Sequence, residues 1–150
     1  MTEIFFYHLQ GEPLERALPS LLEKSLERGW RVVVQASSEE RIDVLDAHLW
    51  TYRDDAFLPH GTHREGEAVE QPIVLTTGDD NPNGAAVRFL VDGAAIPPEP
   101  RAYTRIVLMF DGDDPDAVAV ARERWAQVKA NGFEATYWQQ DENRRWQRKA

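Results

Sequence analysis

Apolar segments of strand length alternate with amphipathic segments along the first 36 residues, and this alternation restricts the fold most. Residues 4–9 (IFFYHL) are apolar and aromatic without a helical period, which predicts a buried strand. Residues 13–28 place five leucines on one helical face, Gly29 ends that pattern, and residues 30–36 (WRVVVQA) predict a second buried strand. A strand, a helix and a strand in this order indicate a parallel βαβ unit.

The remaining elements follow from similar local signals. Pro19 should kink the first helix or delay its start. Ser37 to Glu40 read as an S-x-x-E capping box for a short helix that turns Ile42, Leu45 and Leu49 inward. Residues 51–71 are polar and predict a loop. Further strands are predicted at 72–77, 86–93, 103–112 and 133–141.

The last helix has the clearest boundaries. Asp114 is a suitable N-cap, Pro115 fits the first turn, and Asn131-Gly132 ends the helix. We therefore expect one three-layer α/β/α domain, Rossmann-like, around a mainly parallel central sheet. This domain should span residues 1–141, and residues 142–150 should form a basic C-terminal extension, either an edge element or a tail.

The distribution of charge restricts the partners. The 150-residue chain has a net charge of −9, but residues 122–150 carry seven basic and four acidic side chains, net +3, which leaves −12 for residues 1–121. Such an acidic body repels phosphate backbones, so broad nucleic-acid binding is disfavoured. The basic end could attract an acidic partner or could simply be a solvated tail.

The same sequence predicts a cytoplasmic protein without a membrane contact. There are no cysteines, so a disulfide framework and a thiolate metal site are excluded. No apolar run approaches the roughly 20 residues of a membrane span, and the N-terminus lacks the features of a secretory signal.

Signatures of catalysis are weak in this sequence. The turn after the first strand contains one glycine, without G-x-G-x-x-G, and no phosphate-binding G-x-x-x-x-G-K-[ST] occurs. His60 and His63, with Glu65 and Glu67, are residues of metal-ligand type, but H-x-x-H in a loop favours exposed histidines beside solvated acids. No serine lies in a nucleophile elbow. We therefore expect no catalytic residues, no metal and no cofactor.

One edge of the last helix combines apolar and basic side chains. At 100° per residue, Val118 and Trp125 share a face, and Arg122 and Lys129 lie along its edge. This pattern is typical of an ordinary amphipathic helix whose long basic side chains cover the core. Alternatively, the same edge could bind a peptide that ends in an apolar residue and a carboxylate. The helical pattern alone favours the first interpretation.

A second apolar group lies in residues 49–61 (LWTYRDDAFLPHG). Trp50, Phe57 and Pro59 stand in a segment that otherwise predicts a solvated loop. Three interpretations remain open at this point. The rings could fold onto the core, line a small-molecule pocket or contact another protein.

Several motifs, taken in order, resemble one known family. They are FFYHL (5–9), L-D-x-x-L-W (45–50), F-L-P-H (57–60), PIVLTT (72–77), VLMFDG (107–112) and ARERWAQVKANGF (121–133). Together they span residues 4 to about 138. On this basis the chain is similar to the chi subunit of the bacterial DNA polymerase III holoenzyme.

The resemblance implies a non-catalytic accessory protein of the clamp-loader assembly that binds the acidic C-terminal tail of single-stranded DNA-binding protein and contacts DNA only indirectly. Arg122 matches a basic residue that meets this tail, and Trp125 matches an aromatic residue of the same site. Val118 stands where a relative has a lysine, which weakens the electrostatic match, and Lys129 could compensate.

A second contact is implied for the other apolar group. Trp50 and Phe57 match aromatic residues that contact the psi subunit or a helicase that competes for the same surface, and Pro59 lies in the same motif. Two alternatives stay open: a nucleotide- or metal-dependent enzyme on a Rossmann-like sheet, and a single-stranded DNA binder that stacks bases on Trp125, Trp138 and Trp146.

Overall fold

The structure is a computed structural model that describes residues 2–52 and 58–150. In this part of the chain, the strands are β1 (Glu3–Leu9), β2 (Val32–Gln35), β3 (Gly61–Thr62), β4 (Ile73–Thr76), β5 (Val87–Leu90), β6 (Arg105–Asp111), β7 (Glu134–Gln140) and β8 (Trp146–Arg148). The helices are α1 (Leu14–Glu27), α2 (Glu39–Thr51) and α3 (Pro115–Ala130), with short 3₁₀ helices at Ala68–Glu70 and Pro100–Ala102.

All the described strands belong to one sheet, in the order β3-β4-β2-β5-β6-β1-β7-β8. Every neighbouring pair is parallel except β7 and β8, which are antiparallel. The prediction of an α/β domain with a mainly parallel sheet is confirmed. The first βαβ unit has parallel strands that are not neighbours, because β1 pairs with β6 and β7 instead of β2.

The helices cover the two faces of the sheet. On one face, Leu18 and Leu22 of α1 and Ile42 of α2 pack with Val34 in one fully buried cluster. On the opposite face, Val128 of α3 belongs to a second cluster that contains Phe6, Ile4 and Ile106. This three-layer arrangement places α2 and α3 on opposite sides of the sheet.

Some local predictions are wrong in detail. Helix α1 begins at Leu14 and contains Pro19, so the alternative of a delayed start is wrong, whereas the alternative of a kink stays a prediction. The N-cap of α2 is Ser38 and not Ser37, and its Oγ accepts a hydrogen bond from the Arg41 amide at 3.2 Å. The residue three positions after Ser38 is therefore Arg41, which cannot complete the predicted capping box.

The segment predicted as a loop at 51–71 contains regular structure. Its Gly61 and Thr62 form β3 at the edge of the sheet, and the first 3₁₀ helix follows. Two residues are too few to show an alternating pattern, which is why the sequence did not indicate this strand. Within residues 2–52 and 58–150, no helix is long and apolar enough to span a bilayer.

Candidate functional site

Helix α3 begins and ends where the sequence predicts. Asp114 is its N-cap, and one carboxylate oxygen accepts hydrogen bonds from the amides of Asp116, at 3.0 Å, and Ala117, at 3.4 Å. Pro115 occupies the first turn, where its missing N–H costs nothing. After the helix, Gly132 adopts φ +81°, a left-handed conformation that ends it. These two ends fix how far α3 extends over β6, β1 and β7.

The four residues predicted on one edge of α3 do lie together there. Trp125 is half-buried, and its ring centroid lies 5.2 Å from that of Phe6 and 5.9 Å from that of Tyr137, in edge-on contacts. Val118 is half-buried, while Arg122 and Lys129 are exposed. Lys129 Nζ lies 5.7 Å from the Trp125 ring centroid, which is within the range of a cation–π interaction.

Tyr137 and His8 also belong to this site, and the sequence interpretation missed them. The Tyr137 hydroxyl lies 2.7 Å from His8 Nδ1, and the His8 ring packs against Phe110 at 5.2 Å between centroids. Tyr137 is brought there by the register of β7 on β1, which pairs it with Phe6. The alternation of β7 indicates a strand, but nothing local shows that β1 is its neighbour. We call Val118, Arg122, Trp125, Lys129, Tyr137 and His8 the α3–β7 site.

The charge of Arg122 reaches the polar groups of this site. Burial raises the pKa of the Tyr137 hydroxyl, and the Arg122 guanidinium partly opposes that shift. Burial lowers the pKa of the His8 imidazole, Asp113 and Asp111 oppose the shift, and Arg122 adds to it. His8 is therefore uncharged at neutral pH. The positive charge of the site comes from the exposed Arg122 and Lys129, beside a half-buried aromatic surface.

The second predicted surface lies at the end of α2. Trp50 is 51% exposed, and its ring centroid lies 4.5 Å from that of His60. Pro59 is half-buried. Phe57 lies outside the described residues, so its predicted place in this surface stays a prediction. We call Trp50, Pro59 and His60 the α2 surface.

His60 corrects the expectation of exposed loop histidines. It is only 4% exposed, its Nδ1 lies 2.6 Å from the Leu58 carbonyl oxygen, and its Nε2 lies 3.0 Å from an Asp46 carboxylate oxygen. His60 therefore packs against the Trp50 ring and does not face solvent. His63 contacts Glu39 at 2.7 Å. Among the described residues, no group of three or more His, Cys, Asp or Glu side chains is arranged so that it could hold a metal ion.

The three tryptophans of the DNA-binding alternative do not form one platform. Trp138 and Trp146 both contact Tyr7, with ring centroids 6.3 and 4.6 Å away. Trp125 contacts Phe6, which points to the opposite face of the sheet because successive strand residues alternate. Bases stacked on Trp138 could therefore not continue onto Trp125.

Comparisons with known proteins agree on one family. A family model described as the DNA polymerase III chi subunit, HolC, matches residues 1–136. The probable DNA polymerase III subunit chi of Rickettsia prowazekii is 30% identical over 96 residues, which cover 64% of this chain and 58% of that protein. The DNA polymerase III subunit chi of Pseudomonas aeruginosa is 24% identical over 138 residues, which cover 89% of this chain and 93% of that protein. The match therefore spans less than two thirds of the Rickettsia protein.

Proposed function

Because the chain belongs to the family of DNA polymerase III chi subunits, we propose that it is a non-catalytic accessory subunit of a DNA polymerase III holoenzyme. In this proposal it acts in the cytoplasm within the clamp-loader assembly. It links the polymerase to single-stranded DNA-binding protein by holding that protein's acidic C-terminal tail. It needs no cofactor, and it meets DNA only through its protein partners.

The observation that carries this proposal is the pairing of cations and a half-buried ring at the α3–β7 site. Arg122 and Lys129 are exposed on either side of Trp125 along the helix, and the Trp125 ring rests on Tyr137. A peptide that ends in acidic residues and one apolar side chain matches both parts. Its carboxylates would meet Arg122 and Lys129, and its apolar end would be removed from water against Trp125.

The charge of the rest of the chain makes this site selective. Residues 1–121 carry a net charge of −12, so an acidic peptide is repelled from most of the surface and attracted only where basic groups cluster. Val118 adds apolar area but no charge, at a position where the family resemblance implies a lysine in a relative. We therefore expect tail binding to weaken with salt less steeply here than in that relative.

The α2 surface is the proposed site of a second protein, such as a psi subunit or a helicase. Trp50 presents half of its surface to solvent at a helix end, and large exposed aromatic side chains are frequent binding hot spots. Phe57 and Pro59 would complete this contact. Because α2 and α3 cover opposite faces of the sheet, the two partners could bind together.

Titration of a labelled tail peptide against the wild-type chain and Arg122→Ala tests the proposal. Loss of a charge-assisted hydrogen bond should weaken binding by roughly 1–3 kcal/mol. Arg16→Ala is the matched control, since Arg16 is an exposed arginine of α1 on the opposite face. It removes the same charge and should leave the affinity unchanged. Removal of the terminal apolar residue of the peptide should also weaken its binding to the wild-type chain. This loss should be at least as large as the loss that Arg122→Ala causes for the full peptide.

Two results would count against this assignment. Equal affinities of wild type and Arg122→Ala would move the site away from α3. Equal losses in Arg122→Ala and Arg16→Ala would mean that only the net charge of the chain matters, without a local site.

A further inference from the structure

A crevice of about 760 Å³ opens at the carboxyl ends of β1, β5 and β6. It lies where the chain leaves the sheet in two directions, since α1 follows β1 on one face and α3 follows β6 on the other. The N-terminal turns of both helices form its walls. Parallel α/β sheets bind ligands at such points, and the volume is sufficient for several side chains.

The inner part of the crevice is apolar. Leu90, Leu108 and Met109, at the ends of β5 and β6, line it together with Phe110. Val120 of α3 also lines it and is 36% exposed. An apolar side chain of a ligand would be removed from water when it packs against these residues.

The rim is acidic at the positions where a nucleotide-binding sheet offers free amides to phosphate. An Asp113 oxygen accepts a hydrogen bond from the Gly11 amide at 3.1 Å, and Asp114 caps α3. Glu12, Asp111 and Asp116 add further carboxylates to the lining. Asp114 occupies the first amides of α3, and the carboxylates together repel anions, so the rim disfavours phosphate and an acidic peptide.

A basic side chain of the same chain lies beside this rim. Arg144 Nη2 lies 3.5 Å from the carbonyl oxygen of Gly11. The other lining carboxylates, Glu15 and Asp92, are already paired with Arg41. Glu12, Asp111, Asp113 and Asp116 are therefore the lining carboxylates that can attract the basic side chains of a partner.

Arg124 of α3 also lines the crevice and is half-buried. An inorganic cation would leave the apolar inner part of the crevice unfilled, whereas a peptide with an apolar side chain would fill it.

We propose that this crevice binds a basic segment of a partner protein, with one apolar side chain in the crevice and Lys or Arg side chains at the acidic rim. The crevice shares no lining residue with the α3–β7 site, which uses the other edge of the same helix, although Phe110 of the crevice packs against His8 of that site. Helix α3 therefore divides two surfaces that select ligands of opposite charge. This inference goes beyond the proposed function and does not rest on it.

The test is a fluorescence-anisotropy titration of the full chain with a labelled peptide that has one leucine between two pairs of arginines. Asp113→Asn combined with Asp116→Asn should weaken binding roughly five-fold, because two exposed charge pairs of about 0.5 kcal/mol each are lost. Glu123→Gln combined with Glu134→Gln is the matched control. It changes the net charge equally at exposed positions away from the crevice and should leave the affinity unchanged. Replacing the peptide's leucine with asparagine should also weaken binding.

Equal affinities of the two double variants would overturn the proposal, and so would equal affinities of the leucine and asparagine peptides. The acidic tail peptide separates this outcome from the proposed function. Its affinity should persist in the Asp113→Asn, Asp116→Asn variant, and the basic peptide should still bind Arg122→Ala. Thermal unfolding of each variant verifies that it is folded, and the apolar contact can be tested separately with Val120→Ser.

Discussion

At the scale of single residues, Arg88 shows how a charge can belong to the core. It lies in the middle of β5 and is fully buried. Its guanidinium donates to the Asp80 carbonyl oxygen at 2.8 Å, to the Tyr103 hydroxyl oxygen at 3.0 Å, to Gln35 and to the Gly78 carbonyl oxygen. These bonds hold the segment after β4 against the sheet. The sequence shows an arginine inside an apolar strand, but its acceptors come from distant segments.

Gly112 is a second residue whose identity depends on its neighbours in the folded structure, because they leave no room for a side chain. A Cβ atom added there would lie 1.9 Å from His8 Nε2 and 2.5 Å from the Leu9 carbonyl oxygen. The backbone oxygen cannot move without disturbing β1, so Gly112→Ala should destabilise the fold by about 2–3 kcal/mol. Gly66→Ala is the control because the added atom meets nothing within 4 Å, and its effect should stay below about 1 kcal/mol. Urea unfolding measures both, and equal midpoints would contradict the close approach.

At the scale of elements, local signals predicted each long helix and strand but not their neighbours. The cap and the end of α3 depend on Asp114 and Asn131-Gly132, which are adjacent to the helix, and both predictions are confirmed. The separation of β1 from β2 depends on β5 and β6, more than 50 residues further along the chain than β2. Sheet order is decided by such distant pairing, and a pattern of local periodicity contains no information about it.

The cap of α2 can be tested with two adjacent serines. Ser38 Oγ accepts the Arg41 amide hydrogen bond, whereas Ser37 is exposed and precedes the cap. Ser38→Ala should therefore cost about 1 kcal/mol of unfolding free energy. Ser37→Ala should change it by less than about 0.5 kcal/mol, as is usual for surface positions. A larger loss of stability in Ser37→Ala than in Ser38→Ala, measured by denaturant titration, would favour the predicted capping box with Ser37 as the N-cap.

At the scale of the whole molecule, the α3–β7 site and the α2 surface differ in how far the sequence predicted them. Helical periodicity predicts that Arg122 and Trp125 lie close together, because both belong to α3. Tyr137 and His8 joined them only through the pairing of β7 with β1. In the α2 surface, Trp50 is exposed, and its contact with a partner stays a prediction. The buried His60 beside the Trp50 ring comes from a later segment of the chain, so no local pattern indicates this pairing.

Because these two surfaces lie on opposite faces of the sheet, a substitution in one surface should not change binding at the other. Trp50→Ala should change the free energy of unfolding by less than about 0.5 kcal/mol and leave tail-peptide affinity unchanged. It should weaken binding of the proposed second partner, such as a psi subunit, by about 1 kcal/mol or more. Leu49→Ala is the matched control on the same helix. Leu49 is only 2% exposed, so its replacement should cost about 2–5 kcal/mol of stability.

The double variant Trp50→Ala, Arg122→Ala completes this prediction. Residues far apart without shared contacts have additive effects, so its loss of tail affinity should equal that of Arg122→Ala within about 0.5 kcal/mol. Its loss of affinity for the psi subunit should likewise equal that of Trp50→Ala. Isothermal titration of each partner with the four proteins measures both quantities. If Trp50→Ala alone weakened the tail peptide, the sheet would have to transmit the change between its faces, and the two surfaces could not act as independent contacts.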